Sequence, residues 1–204
     1  MITAKKMRRL EKQAEKRGIS RLQLMELAGR NIAEVLKRKM AFIEHKQPRI
    51  LFVCHHGNNG GDGLAAARYL ANEVRNAAVT VLLVAEKEDM TKEARINLER
   101  LAKRKDVSII EEQHPMPAYF AASDIIVDCM FGTGFRGTLD QHMQNIVTMI
   151  NEAKAKRVSV DIPTGIDAKG RPAPFAVNAD LIIALHDSKP GCDPEKTLVV
   201  QIGL

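Results

Sequence analysis

The chain has 204 residues, of which 45% are hydrophobic and 27% charged, with three cysteines and no tryptophan. That is an ordinary globular balance, long enough to bury a core without disulfides or metals, and no apolar run approaches a membrane span. The net charge of +6 is uneven: residues 1–46 hold 13 Lys/Arg against 5 Asp/Glu, and the remainder 18 against 20.

A basic excess confined to one segment fits a solvated helix face or an arm that attracts RNA or an acidic partner. Aromatics make up only 4% of the chain, so stacking platforms for single-stranded nucleic acid are scarce. The solvated face is the preferred reading. Cys54, Cys129 and Cys192 are widely spaced and form no C-x-x-C pair. With no signal-peptide pattern visible, they place the chain in a reducing cytoplasm.

Residues 4–17 carry Met7, Leu10 and Ala14 on one helical face. A second helix begins near Ser20, where Ser20 and Gln23 form a capping-box pattern, and its apolar face runs Met25, Ala28, Ile32, Val35, Leu36. Pro48 breaks the chain, and strand, loop and helix then alternate. Residues 50–54 form an unbroken apolar run, as in a strand covered on both faces. Residues 57–63 read as a turn and 63–76 as a helix. Strands follow at 79–84, 107–110 and 125–127, with a helix at 91–104. A glycine loop at 132–137 precedes a Thr138/Gln141 capping-box pattern and a helix over 139–153. The final strands are 158–160, 181–185 and 198–202. This order predicts an α/β fold: a Rossmann-like three-layer sandwich with a mainly parallel sheet, helices on both faces and an N-terminal helical pair. The chain is read as a single domain, 1–204, in which a helical segment 1–46 packs on an α/β core 49–204.

In such sheets ligands bind beyond the carboxyl ends of the strands. Three strand ends carry unusual chemistry. The first loop is Gly57-Asn58-Asn59-Gly60-Gly61-Asp62-Gly63. Its glycines allow close backbone approach to a ligand, and the following helix N-terminus suits a phosphate. A tight turn with Asp62 as helix N-cap is the plainer alternative, although a turn alone would not need so many glycines. The Gly-Lys-Ser/Thr ending of a P-loop is absent.

The second loop, Asp128 to Gly137, contains Gly132, Gly134 and Gly137 in a literal G-x-G-x-x-G. Four residues separate its strand from the first glycine, where the dinucleotide fingerprint wants almost none. Asp128 serves either function or a plain hydrogen bond to a neighbouring loop. The third loop, Asp161 to Asp167, places Asp161 where a ligand would lie. It is a candidate general acid/base or a hydrogen-bond acceptor. His55 and His56 lack partners at transition-metal spacing and read as polar pocket walls.

Together these segments resemble the YjeF N-terminal domain family, the NAD(P)HX epimerases. The resemblance rests on Leu24 to Arg30, Asn58 to Arg68, Asp128 to Gly137, Ser159 to Gly165, Lys189-Pro190-Gly191 and the terminal Gln201-Ile202-Gly203. It implies an isomerase that interconverts the R and S hydrates of NADH and NADPH (NADHX and NADPHX), supplying the S form to a separate dehydratase. It also implies a Rossmann-like fold and a homodimer. Substrate contacts carry over to Asn58, Asn59, Gly60, Gly61, Asp62, Gly132, Thr133, Gly134, Phe135, Arg136, Gly137, Thr138 and Asp161, with Asp161 as catalytic acid/base. A K+ ion would be held by Asn59, Asp128 and Thr164, oxygen donors suited to a hard cation. His55 stands where the family usually has Gly, and Arg136 where some members have Lys. Two other readings stay open: a non-catalytic dimerisation scaffold of the same family in RNA metabolism, favoured by the basic N-terminus, and an NAD-dependent dehydrogenase, suggested by the G-x-G-x-x-G.

Overall fold

A computed structural model describes residues 1–40, 47–167 and 169–204. The last six positions of the basic segment, His45 among them, lie outside the described residues. The order is α1 (Ala4–Lys16), α2 (Arg21–Met40), β1 (Arg49–Cys54), α3 (Asn58–Glu73), β2 (Ala78–Leu83), α4 (Lys92–Ala102), β3 (Val107–Glu111), α5 (Pro117–Ala121), β4 (Ile125–Cys129), α6 (Gln141–Glu152), β5 (Lys156–Val160), β6 (Leu181–Leu185) and β7 (Thr197–Val200).

Among the described residues seven strands form one sheet in the order β3-β2-β1-β4-β5-β6-β7. Every pairing is parallel, so the expected mainly parallel sheet is wholly so. β1 shows why an unbroken apolar run was needed. Ile50, Phe52 and Cys54 face one apolar cluster, shared with α2, α3 and α4. Leu51 and Val53 face the other, built with Phe120 of α5 and Met143, Ile146, Val147 and Ile150 of α6. Burial on both faces removes the usual alternation of polar and apolar residues.

The second helix starts as its sequence predicts: the Ser20 N–H donates to Gln23 Oε1 (2.8 Å) and the Gln23 N–H to Ser20 Oγ (3.2 Å). α2 then crosses α3 at close range, because a Cβ on Gly29 would lie 2.4 Å from that of Ala65. Glu26 of α2 ties the layer together, accepting from Arg68 (2.5 Å) and Tyr69 (2.8 Å) of α3 and from Arg100 (2.6 Å) of α4.

Three local expectations are corrected. Residues 57–63 are not a turn before a helix at 63: α3 already begins at Asn58, with Gly57 as N-cap and no side-chain capping bond. Asp62 is therefore not a cap but a buried residue in the second turn of α3. The later capping box also shifts, because Asp140 rather than Thr138 caps α6, its Oδ1 accepting from the Met143 N–H at 2.8 Å. The glycines of α3 are there largely for packing. A Cβ on Gly60 would lie 1.7 Å from the His55 carbonyl oxygen, one on Gly61 2.5 Å from Met25, and one on Gly63 2.6 Å from Cys129.

Gly60→Ala forces a backbone shift that outweighs alanine's better helix propensity. It should cost about 1–3 kcal/mol, the usual range for overpacking, seen as a fall in Tm. Gly134→Ala meets nothing within 4 Å and should stay within about 0.5 kcal/mol of the parent. Equal melting of the two variants would contradict the packing role.

Candidate functional site

The strand order reverses direction between β1 and β4, and β5 lies next to β4. The loops after these three adjacent strands therefore meet at one crevice, where ligands of doubly wound sheets bind.

Asp128 in β4 is the hub of the loops. It is 1% exposed. Its Oδ2 accepts from Ser159 Oγ of β5 (2.9 Å) and from the Thr164 N–H (2.9 Å). Its Oδ1 accepts from Thr164 Oγ1 (2.7 Å) and the Met130 N–H (3.2 Å). Thr164 Oγ1 in turn accepts from the Phe131 N–H at 3.2 Å. Burial pushes the Asp128 carboxyl above the usual carboxylate range, opposed by the bonds from Thr164, Met130 and Ser159. The plain hydrogen-bonding role offered for Asp128 is thus realised in full.

Asp161 follows β5 directly and has φ +68°, a left-handed conformation uncommon outside glycine. Its N–H donates to the Ile183 carbonyl (2.8 Å), which holds the bend against β6. Oδ2 accepts from the Thr133 N–H at 3.1 Å, joining the third loop to the second. Oδ1 pairs with the ammonium of Lys189, a lysine with no exposed surface that also donates to the Leu185 carbonyl. Lys189 was seen in the sequence only as part of a family-like tripeptide. Its partner lies 28 residues earlier, and no local pattern announces a buried ion pair.

These groups border a cavity of about 570 Å³, within the range of small-molecule sites. Among the expected contacts, Asn58, Asn59, Asp62, Gly132, Thr133, Gly134, Phe135 and Asp161 line it. Gly60 and Gly61 lie behind the wall, packed as described. Arg136, Gly137 and Thr138 are exposed and lie off the cavity lining. The literal G-x-G-x-x-G does not open a helix, since α6 starts only at Gln141, so the dinucleotide fingerprint fails in structure as well as in spacing. Asn59 is 8% exposed, and neither polar atom of its amide has a hydrogen-bond partner among the described residues. It sits beside Gly132: a Cβ there would be 3.5 Å from the Asn59 side chain and 3.0 Å from Asp161 Oδ2.

His55 and His56 do form polar walls. Their rings stack at 4.2 Å, His55 packs on Phe131 at 4.7 Å, and Phe131 on Phe135 at 5.1 Å. Burial, reinforced by the neighbouring His56, lowers the His55 imidazole to about 4, so it is neutral at physiological pH. The helical pair supplies the wall that sequence reasoning left out. Ala4, Met7, Arg8, Glu11 and Lys12 of α1 and Arg21, Leu24, Met25 and Ala28 of α2 line the same cavity. The α1 set recurs at i, i+3, i+4, i+7 and i+8, one helical face, so the basic segment is not only a solvated surface.

The cavity gathers carboxyls. Burial raises the Asp62 carboxyl well above its ordinary value, with Asp161 and Glu11 adding like-charge repulsion and Lys189 opposing. Glu11 is raised as well, chiefly by burial. Carboxyls with different environments in one crevice can divide donor and acceptor duties.

The fold and crevice define a class: wholly parallel, doubly wound α/β proteins whose ligand site lies at the switch point of the sheet. Within it, this chain belongs to the YjeF-related protein N-terminus family, whose model matches residues 21–191. It is 39% identical over 191 residues to a protein of Archaeoglobus fulgidus named bifunctional NAD(P)H-hydrate repair enzyme Nnr, the match covering 93% of this chain and 38% of that one. It is 37% identical over 183 residues to a Pirellula staleyi protein named NAD(P)H-hydrate epimerase, covering 87% and 77%. The chain thus spans well under half of the bifunctional relatives it matches. The crystal structure of yeast ynu0 (YNL200c) shares the fold, with a TM-score of 0.85 at 24% identity over 98% of this chain and 87% of that one.

The elevated Asp62 carboxyl has a stability consequence with a definite sign. Its folded value exceeds its unfolded value near 3.8. The native state therefore binds the extra proton between the two, and stability falls as pH rises through that window. Asp62→Asn removes the penalty. It should melt higher than the parent at pH 8, by about 2–4 °C or more, and the gain should fade toward pH 4. A gain that stays constant with pH would contradict this origin.

Proposed function

We propose that this protein is an NAD(P)H-hydrate epimerase, an isomerase that interconverts the R and S hydrates of NADH and NADPH. Asp161 carries the reading. It is a carboxylate held at the cavity by a strained backbone, a buried lysine and a loop amide, in a family whose named relatives act on NAD(P)H hydrates. The substrate carbon to be inverted bears a hydroxyl and the ring nitrogen. Protonating the hydroxyl lets it leave as water, and the nitrogen lone pair stabilises the resulting iminium. Water then adds from the opposite face and loses a proton.

The sequence assigned both proton steps to Asp161. The pairing with Lys189 and the Thr133 N–H suits it better to accept the proton from the incoming water. Asp62, whose burial favours its protonated form, is the better donor to the leaving hydroxyl. Exchange with solvent resets the pair. Neutral His55 and the Phe131 and Phe135 rings offer an apolar surface beside the ring.

A K+ ion at Asn59, Asp128 and Thr164 belongs to the same proposal. The buried, unpartnered Asn59 amide supports it, as does the oxygen-only donor set. Asp128 and Thr164 touch directly (2.7 Å). Thr164 Oγ1 keeps one lone pair, whereas Asp128, with all four acceptor sites used, would have to exchange a hydrogen bond for the ion. When bound, the ion would supply positive charge beside the loops and fix their geometry. A separate dehydratase would consume the S hydrate. Free cysteines at all three positions fit a cytoplasmic home, and the exposed Leu198 and Val199 of the β7 edge offer a face for a homodimer. No helix among the described residues is long and apolar enough to cross a membrane.

The deciding assay supplies R-NADHX with an S-specific dehydratase and follows NADH recovery. The protein should accelerate recovery, and Asp161→Asn should bind the hydrate yet lose at least about 100-fold in kcat, the range of acid–base loss. Full turnover in that variant would remove Asp161 from the chemistry. KCl, but not NaCl at equal strength, should raise the Tm, and Asn59→Ala should abolish the difference. An equal response to both salts would exclude a selective ion site.

A further inference from the structure

We infer that α1, through Arg8 and Lys12, reads the pyrophosphate of the nucleotide substrate, an inference that rests on the epimerase reading above. Both residues line the cavity. They lie one helical turn apart, the spacing that puts two side chains on one face. Among the described residues neither has an ion-pair partner, whereas the third cation of this wall, Arg21, is engaged by Glu15 at 2.6 Å. Both residues are solvent-exposed, so their charges are hydrated in the free protein, and an anion entering the cavity would meet two cations that no salt bridge has already engaged.

The remaining walls fix which part of the substrate that anion is. Asp161 meets the cavity beside Gly132 and Asn59, Asp62 lines it one helical turn after Asn59, and Lys189 is already engaged by Asp161. A pyrophosphate placed there would meet carboxylates, whereas a nicotinamide ring becoming cationic in the reaction would be stabilised by them. The charge pattern therefore orients the dinucleotide, with its ring toward Asp161 and its pyrophosphate toward α1. Glu11 shares the α1 face, but burial, together with the Asp161 charge, favours its neutral form against the opposing pull of Arg21 and Arg8. The helix is well anchored for this task. Ile2 is 1% exposed, and its N–H donates to the Ser188 carbonyl at 2.7 Å, next to Lys189. α1 lies outside residues 21–191, the part matched by the family model.

The test uses calorimetry on the full chain with ADP-ribose, which carries the pyrophosphate without the reacting ring. R8Q/K12Q should bind it at least about 10-fold more weakly, the effect of losing charge-assisted bonds, with a smaller dependence on salt. The outer-face control K5Q/R9Q, whose positions lie off the cavity, should stay within about twofold. In the coupled assay R8Q/K12Q should raise KM for the hydrate by a similar factor and leave kcat nearly unchanged. R8K/K12R should restore most of the affinity. Unchanged ADP-ribose affinity in R8Q/K12Q overturns the inference. So does a much larger loss for 2′-phospho-ADP-ribose than for ADP-ribose, which would assign the cations to the 2′-phosphate. A parent protein that binds ADP-ribose through these cations yet epimerises nothing would sink the epimerase reading and leave the pyrophosphate site standing.

Discussion

The site depends on one buried carboxylate. Asp128 accepts four hydrogen bonds from β5, from the loop beyond it and from its own loop. Hydrogen bonds to a charged group contribute about 1.5–3 kcal/mol each, but taking an ion out of water costs several kcal/mol. The upward shift of the Asp128 carboxyl, caused first by burial, shows that desolvation prevails. Asp128 is thus a poor source of stability and a good source of position. It draws Thr164 back against β4, and Thr164 draws in the Phe131 N–H. The two loops then lie close enough for the Thr133 N–H to reach Asp161. Without that clasp the acid and the loop facing it would have no common reference.

The architecture was legible because its signals are local. β1 could be read from an apolar run, and α2 from a reciprocal Ser20–Gln23 cap that the structure reproduces. The meeting of three loops followed from strand-end chemistry once the order placed β1, β4 and β5 side by side. The first loop was misread for an instructive reason. Glycine and asparagine in quick succession have the composition of a turn, and only tertiary contacts reveal a helix. Gly60 lies under the His55 carbonyl and Gly63 against Cys129, so α3 can begin at Asn58 only because these positions lack a Cβ. Low helix propensity is the cost of bringing its N-terminus to the crevice.

The site was legible to a different depth. Asp161 and Asn59 could be named from their loops, yet what makes each unusual is non-local. For Asp161 it is a lysine that arrives 28 residues later, and for Asn59 a burial that leaves its amide without a protein partner. Arg136, Gly137 and Thr138 were carried along by the motif, whereas the structure leaves them exposed. The basic segment was the larger omission. Charge counting averages over a helix: Arg8 and Lys12 of α1 reach the cavity, although they also border an outer groove with Lys5, Arg9 and Lys16, which lie off the cavity.

The division of charge connects the parts. An epimerase that works through a cationic intermediate needs negative charge at the reacting ring, and the same substrate brings a pyrophosphate that negative charge would repel. A single uniform field cannot serve both ends. Here two of the carboxyls, Asp161 and Asp62, come from a strand end and from the second turn of α3, while a third, Glu11, sits on α1 among the cations. The unpaired cations come from a helix laid across the opening. The segment leading into α1 is joined to the sheet side near Asp161, where Ile2 donates to the Ser188 carbonyl beside Lys189. A displacement of α1 would therefore disturb the pairing of Asp161 as well as the cationic face that lines the cavity. The N-terminal segment is thus tied to the stretch that carries Lys189 both by this bond and by the ion pair of the N-terminus with Asp187.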